Sequence, residues 1–436
     1  HALLRQLEYF NAEHGCAVVM ETKTGEIKAI SNLGRSDVGT YFEKRNYAIW
    51  ESHEPGSTFK LASLMVALED KAIDTSTVVD TDGGIMFIHG SKVEDSRKGG
   101  YGKISAARVF EVSSNVGIVK LIRQHYDDNP QKFYEKIEKF GFTKPIGFQI
   151  KGEGIPYIPN PKDKNRWNKI SLEWMSWGYG ISVTPMQTLM FYNAVANDGV
   201  MVKPRFVKEL RKQDKTVKTF KTEVVNPKIA SDETLRKVRK VMENVVIKGT
   251  ATNIYSPNFS MAGKTGTAKK YVAAHINELG ERIPGQYSSE RYAASFVGFF
   301  PADNPKYTCI VIVHDPEKRK GYYGSTVAGP IFKEIAQKIY TSTPIDFQSV
   351  DDSVQFASIE NDFKNYEKLL QNGQDSIPNV IGMPGMDAVS LLENKGYKVK
   401  VSGIGKVKNQ SFLNLTISNC HFPCGKSCFF CIHSIT

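Results

Sequence analysis

Residues 54–60 read Glu54-Pro55-Gly56-Ser57-Thr58-Phe59-Lys60, and the apolar run Leu61-Ala62-Ser63-Leu64-Met65-Val66-Ala67-Leu68 follows at once. Pro55 and Gly56 punctuate a loop, and Ser57 opens a helix in which Leu61, Leu64, Met65 and Leu68 recur at spacings of three and four, the pattern of a buried face. Ser57 and Lys60 are three residues apart and share one face of that helix, with about 5–6 Å between their Cβ atoms. The helix start also offers free backbone N–H groups and a positive dipole, which would stabilise an oxyanion. A serine hydroxyl is a weak nucleophile until a base takes its proton, and a lysine amine can do so only when desolvation or another cation lowers its pKa. The apolar run after Lys60 points to desolvation, and Lys264 is the candidate second cation. Ser-x-x-Lys alone is equally the mark of a capping serine and a surface lysine, so further motifs decide.

Two more motifs follow in order. Ser113-Ser114-Asn115 lies between helical segments, and Lys264-Thr265-Gly266-Thr267 lies in a strand-like run. Ser-x-x-Lys, Ser-Asp-Asn and Lys-Thr-Gly together form the signature of β-lactamases and penicillin-binding proteins, and here Ser114 stands where that form has Asp. With Gly178-Tyr179-Gly180 before Thr184-Pro185, Gly249-Thr250-Ala251, and Ala262-Gly263 ahead of the Lys264 motif, residues 10–340 resemble class B penicillin-binding proteins, particularly the cell-division transpeptidases.

The resemblance implies a peptidoglycan D,D-transpeptidase. Ser57 would attack the penultimate D-Ala carbonyl of a stem peptide ending in D-Ala-D-Ala, and Lys60 would take its proton. Ser113 would relay that proton to the departing D-Ala, and Asn115 would orient Lys60 and hold the substrate amide. Lys264, Thr265 and Thr267, with Gly266 between them, would grip the substrate carboxylate. Gly178 and Tyr179 would border the cleft or form a loop before the next helix, and the backbone N–H groups of Ser57 and Thr267 would make the oxyanion hole. A β-lactam would acylate the same serine. The implied partners are stem peptides, β-lactams, a membrane-bound glycosyltransferase and division proteins, on the extracytoplasmic side of a membrane. The chain begins at His1, so the expectation is a piece of a longer protein whose anchoring helix lies upstream.

The run from Cys16 to Ser31 reads as two strands around Lys23-Thr24-Gly25, and the runs ending in Ala268, Phe300 and Asp315 read as three more. Helices are expected from Ser105 to Phe110, after Asn115, over 185–196 with Thr184 as cap and Pro185 in the first turn, and over 327–340. The expected fold is α/β (α+β): a penicillin-binding-protein transpeptidase, serine β-lactamase-like core with a central antiparallel sheet flanked by helices, over residues 1–345. A Ser-, Asp-, Asn- and Gln-rich stretch over 346–375 reads as a linker.

Residues 376–418, with Pro378-Asn379-Val380, Gly382-Met383, Gly396-Tyr397 and a helix over about 386–395, resemble a PASTA domain that breaks off after Ser411. The tail, 419–436, carries Cys420, Cys424, Cys428 and Cys431 at a spacing that fits no common zinc motif; it reads as an out-of-frame or misassembled segment, expected to be disordered or aggregation-prone. The nine histidines show no metal-ligand spacing, there is no Walker loop or dinucleotide fingerprint, and the chemistry calls for no metal or cofactor. The net charge of +11 comes from scattered residues with no nucleic-acid motif, so no nucleic-acid partner is expected. A serine β-lactamase would need a carboxylate placed to drive water onto the acyl-enzyme, and no matching Glu lies between Ser113 and Lys264. A β-lactam-sensing receptor domain is the other alternative, and the PASTA-like unit argues against it.

Overall fold

The residues of β1 (His14–Glu21) are nearly all buried, so this strand lies inside a sheet covered on both faces. The computed structural model describes residues 1–148, 150–276, 282–342, 369, 378–402, 406–413 and 429–434. In its main unit β1 pairs on one side with β2 (Ile27–Arg35), which pairs with β3 (Tyr41–Glu43). The other side carries the later strands β4 (Ala262–Val272), β5 (Gln286–Phe300) and β6 (Tyr307–His314). The six strands run β4-β5-β6-β1-β2-β3, antiparallel throughout. The expected strands are therefore present, and β4 occupies the edge.

Strand periodicity assigns the two covering layers. Phe296 of β5 pairs with Val311 of β6, and the Phe296 ring meets Phe332 at 4.6 Å between centroids. Phe332 belongs to α7 (Gly329–Ser342), which packs beside α1 (Ala2–Tyr9) on this face. Thr308, three residues from Val311, points to the opposite face and donates its hydroxyl to Asn193 Oδ1 at 2.9 Å. Asn193 lies on α5 (Pro185–Ala196), whose residues are all buried. Thr184 caps its start, as the sequence predicts, and the structure adds Gln187 to close a reciprocal capping box. The C-terminal helix differs from expectation. A short turn over Gly324–Val327 precedes α7, because Pro330 has no N–H to continue the ladder and its ring excludes the carbonyl four residues earlier.

Three more helices lie around the nucleophile region: α2 (Lys60–Glu69), α3 (Ala106–Glu111) and α4 (Asn115–Tyr126), with α6 (Asp232–Lys248) packed against α2 and α3. Ser57 does not begin α2 itself. It sits in a 3-10 turn over Gly56–Phe59 that runs into α2 at Lys60. A hairpin of Ile85–Ile88 and Ser91–Glu94, which the sequence pattern did not disclose, ends beside the start of α4.

Residues 344–436 form a second unit. There α8 (Gly385–Asn394) buries Ala388, Leu391 and Leu392 against Val380 and Val407. Phe429–Ser434 (β9) pairs parallel with β7 (Lys398–Ser402) and antiparallel with β8 (Val407–Leu413). The tail was expected to be disordered or aggregation-prone, and this part of it lies in a sheet. A Phe-Phe-Cys-Ile run has the β-propensity to pair with any open strand edge. Cys420, Cys424 and Cys428 lie outside the described residues, as does most of the expected linker. Among the described residues no helix is long and apolar enough to cross a membrane.

At the end of β1 and β6 the paired residues His14 and His314 stack at 4.3 Å, and Glu51 Oε2 lies 2.7 Å from His14 Nε2. Burial holds the His314 imidazole well below its usual range, helped by His14 and the nearby Lys270. The unfolded chain's imidazole takes up a proton near about pH 6.5 and the folded one does not, so stability falls as pH drops below that value. Replacing His314→Phe is expected to flatten this loss, read as a smaller fall in the urea midpoint between about pH 7 and pH 5.

Candidate active site

The turn that carries Ser57 is pinned from two sides. Gly56 adopts φ +54° and its N–H donates to Gly178 O at 3.0 Å, while a side chain on Gly178 (φ +89°) would run into the Gly56 carbonyl. On the other side the turn packs on edge strand β4, where a Cβ added to Gly56 would come within 2.9 Å of Ala268 Cβ. Glycine at both positions therefore lets the nucleophile turn, the Gly178 loop and β4 come together.

Lys60 is fully buried, with its ammonium facing the Ser113 turn. Its Nζ donates to Ser113 O at 2.7 Å, to Ser113 Oγ at 3.2 Å and to Asn115 Oδ1 at 2.6 Å. Burial lowers its pKa to about 7, against the opposing pull of the Asp95 carboxylate. Desolvation is thus the leading cause, in line with the apolar run after Lys60, and the second cation that the sequence reading named, Lys264, does not contribute to the shift. Ser113 holds φ +59°, a left-handed conformation that costs a non-glycine residue about 1–2 kcal/mol. Such strain persists only where neighbours over-determine it.

Ser114, Asn115 and Asp95 are those neighbours. Ser114 caps α4 by accepting from Gly117 N at 2.9 Å and donates its hydroxyl to Asp95 Oδ2 at 2.8 Å. Asp95 Oδ1 also accepts from Asn115 N at 2.6 Å and Val116 N at 3.0 Å. The Asn115 amide donates to Glu94 O at 2.7 Å, which turns its oxygen toward Lys60.

Lys264 is likewise fully buried, behind the cleft wall. Its Nζ donates to Thr265 O at 3.0 Å and stands 5.5 Å from the Phe110 ring centroid. Burial, then the charge of Lys60, holds its pKa well below the usual lysine range. Thr265 and Thr267 line the cleft; Thr265 Oγ1 shares a hydrogen bond with Thr250 at 2.7 Å, and Thr267 Oγ1 accepts from Gly324 N at 3.0 Å. Between them, Gly266 has no room for a side chain, because Ser295 Oγ and the Thr58 methyl already fill the space.

All three motifs border one cleft of about 700 Å³, to which Ser57, Ser113, Asn115, Thr265 and Thr267 contribute directly. A buried lysine with a lowered pKa, three residues after a serine on a tight turn, supplies the kind of base that activation of a hydroxyl requires.

Residues 15–337 match the family model described as the penicillin binding protein transpeptidase domain. The chain belongs to that family. It is 31% identical over 405 residues to stage V sporulation protein D of Bacillus subtilis, covering 91% of this chain and 58% of that protein. It is also 31% identical over 343 residues to the probable peptidoglycan D,D-transpeptidase PenA of Neisseria gonorrhoeae, covering 76% of this chain and 53% of that protein. Among solved structures it is similar to the transpeptidase domain of Burkholderia pseudomallei penicillin-binding protein 3, at 26% identity and a TM-score of 0.64, covering 79% of this chain and 94% of that one. The chain spans little more than half the length of these curated relatives.

Within this transpeptidase family site, Gly178 and Tyr179 divide their tasks. Gly178 supports the nucleophile turn, whereas Tyr179 lines the cleft, stacks on Trp177 at 4.4 Å and accepts from Lys269 N at 2.9 Å. Sequence reasoning missed Asp95, Thr250, Trp177, Tyr287 and Tyr323, all on the cleft. Thr250 belongs to a quoted motif to which no role was given; the aromatic residues carry no local pattern. His14, Glu51 and His314 bring ligand atoms within 4.8 Å of one another, a cluster invisible to spacing because its members are far apart in the chain. The two imidazole planes lie only 14° apart, so their in-plane lone pairs do not meet at one ion.

The transpeptidase geometry makes Gly178→Ala a sharp probe. It is expected to displace the Ser57 turn, to slow penicillin acylation about tenfold or more and to lower stability by about 1–3 kcal/mol. Gly180→Ala, also at positive φ but with its nearest neighbour atom at 3.7 Å, should show only the stability loss in parallel melting and acylation measurements.

Proposed function

We propose that this chain is the transpeptidase portion of a class B penicillin-binding protein that cross-links peptidoglycan stem peptides through an acyl-enzyme on Ser57. The observation that carries the reading is the buried Lys60 ammonium, lowered to about 7 and held by the Ser113 turn at the floor of the cleft that Ser57 lines. At neutral pH a large share of such an amine is unprotonated and able to accept a proton.

In this reading Ser57 Oγ attacks the penultimate D-Ala carbonyl as Lys60 takes the hydroxyl proton. The backbone N–H groups of Ser57 and Thr267 receive the developing oxyanion, a contribution of about 3–4 kcal/mol per donor in comparable sites. The C–N bond then breaks, the proton passes through Ser113 to the departing D-Ala, and an ester to Ser57 remains. An amine from a second stem peptide attacks that ester, gives up its proton along the reverse path and forms the cross-link. Thr265 and Thr267 contact the substrate carboxylate from the cleft wall, and Lys264 contributes charge from behind it. A β-lactam acylates the same serine and blocks the amine.

The carboxylates lining the cleft support transfer over hydrolysis. Asp95 is taken up by three donors, and Glu94 pairs with Lys92 at 2.8 Å, which leaves neither poised over Ser57 to activate water.

The division of the chain into residues 1–345, a linker over 346–375, a PASTA-like unit over 376–418 and a tail over 419–436 belongs to this proposal. The helix at Gly385–Asn394 and the positive φ of Gly382 and Gly396 support the PASTA-like reading. The working place is the extracytoplasmic face of a membrane, with an anchor supplied upstream and a glycosyltransferase and division proteins as partners. A sporulation role is the second reading, favoured by the 91% coverage of this chain in the match to the Bacillus subtilis sporulation protein.

Mass spectrometry after incubation with penicillin is expected to show one stable adduct on the Ser57 peptide, absent from Ser57→Ala. Because the neutral Lys60 amine is the base, the acylation rate should rise with pH through about 7 and level off above it. A folded wild-type protein without adduct, or an adduct lost within minutes, would overturn the transpeptidase reading.

A further inference from the structure

We propose that the outer end of the β4–β5 ribbon, where Tyr271 closes a row of fixed aromatic rings leading out of the cleft, is a platform for the N-acetylated amino sugar from which the donor stem peptide hangs. The inference rests on the acyl-transfer reading above and deepens it, giving the sugar a place that none of the three motifs names.

β4 is the edge strand of the sheet, and only its far end can be reached: Ala262 to Gly266 are buried, whereas Lys269 and Tyr271 are exposed. A peptide whose terminal carboxylate meets Thr265 and Thr267 therefore has one way out along the strand, toward residue 271. An extended peptide laid on an open edge takes the spacing of the strand beside it. Thr267, Lys269 and Tyr271 fall on one side by the two-residue period, and Lys270 points to the other, its Nζ donating to Asp315 Oδ2 at 2.7 Å. With the penultimate D-Ala carbonyl at the Thr267 N–H, three stem residues and the lactyl link precede the sugar. Four strand steps onward from Thr267 cover about 13 Å and end at Tyr271.

The rings at that end are held by their polar tips. Tyr287 pairs with Tyr271 across the ribbon, with centroids 5.4 Å apart, and donates its hydroxyl to Glu54 Oε1 at 2.7 Å. The same oxygen accepts from Gly180 N at 2.7 Å. Tyr179 meets Tyr287 at 5.1 Å while its hydroxyl takes the Lys269 N–H, and Trp177, stacked on Tyr179, meets Trp174 edge-on at 5.6 Å. Rings fixed in this way lose little freedom when a ligand arrives. All but Tyr271 line the cleft, and Tyr271 ends the row 57% exposed. A lone exposed tyrosine needs no explanation, but this one stands at the distance the sugar requires. The face of an aromatic ring is negative and its edge positive, so it favours the C–H face of a pyranose and disfavours a stem-peptide carboxylate.

Two probes test this, N-acetylmuramyl pentapeptide and the same pentapeptide with a plain N-acetyl group, both ending in D-Ala-D-Ala. Each is scored by the concentration that halves the rate of penicillin acylation of Ser57, beside thermal melting of every variant. The wild type is expected to be half-protected by the sugar-bearing probe at an about five- to tenfold lower concentration. Tyr271→Ala should bring the two concentrations within about twofold, and Tyr271→Phe, which keeps the ring, should restore the gap. Equal protection by both probes in the wild type overturns the proposal, as does protection by neither. A gap that Tyr271→Ala leaves intact, or that Tyr271→Phe fails to restore, overturns it too. If Tyr271→Ala does not fold, Tyr271→Leu, apolar but without a ring, takes its place: a lost gap supports the proposal and a kept gap overturns it. A wild-type protein that takes no penicillin on Ser57 is a separate outcome, which removes the acyl-transfer reading and this inference with it.

Discussion

The cost of burying the Lys60 ammonium is the constraint around which the catalytic unit is organised. An ammonium without water demands hydrogen-bond acceptors, and Ser113 O, Ser113 Oγ and Asn115 Oδ1 supply them at 2.6–3.2 Å. Those acceptors require a strained turn, the turn requires Asp95 and the hairpin ending at Glu94, and the hairpin requires its anchor on Gly84. On the far side the same lysine starts α2, whose residues to Leu68 are buried in the core. The pKa of one amine is therefore set by elements drawn from residues 56 to 116.

The sheet supplies the second half of the arrangement. Because β4 is its edge strand, the Lys264 motif presents Thr265 and Thr267 to the cleft while its other side is fixed by pairing with β5. Gly56, Gly178 and Gly266 mark the places where backbone meets backbone or a neighbouring side chain too closely for a Cβ. These contacts bring an otherwise ordinary serine turn against an otherwise ordinary strand.

Much of this was legible in the sequence because it is local. The α5 cap at Thr184, the apolar face of α2 and the strands around Cys16, Val297 and Ile310 follow from periodicity and punctuation, and the structure has them. The three motifs named the residues that meet at the cleft. What escaped is long-range or unpatterned. Asp95 directly follows a short hairpin, one strand apolar and the other mostly polar, with no signal that it would complete a motif beginning at Ser113. Lys264 was expected to grip substrate, yet its ammonium is directed to Thr265 O, because an edge strand packed on α6, with the Phe110 ring of α3 beside the ammonium, leaves it behind the wall. The strand Phe429–Ser434 escaped because its composition argued for an unrelated tail, while its pairing depends only on β-propensity and open edges.

Two buried lysines, the charge of Lys60 lowering the proton affinity of Lys264, give the cleft a property beyond the placement of a base. At neutral pH their combined proton occupancy is incomplete, since burial lowers both and the charge of Lys60 further lowers Lys264. An anionic group arriving at Thr265 and Thr267 raises the affinity of these amines for protons. Binding of a carboxylate ligand is consequently coupled to proton uptake from solvent, and its heat includes the ionisation enthalpy of whatever buffer supplies that proton. The site thus senses the charge of its ligand as well as its shape, and a neutral analogue of the same outline would enter without calling a proton in.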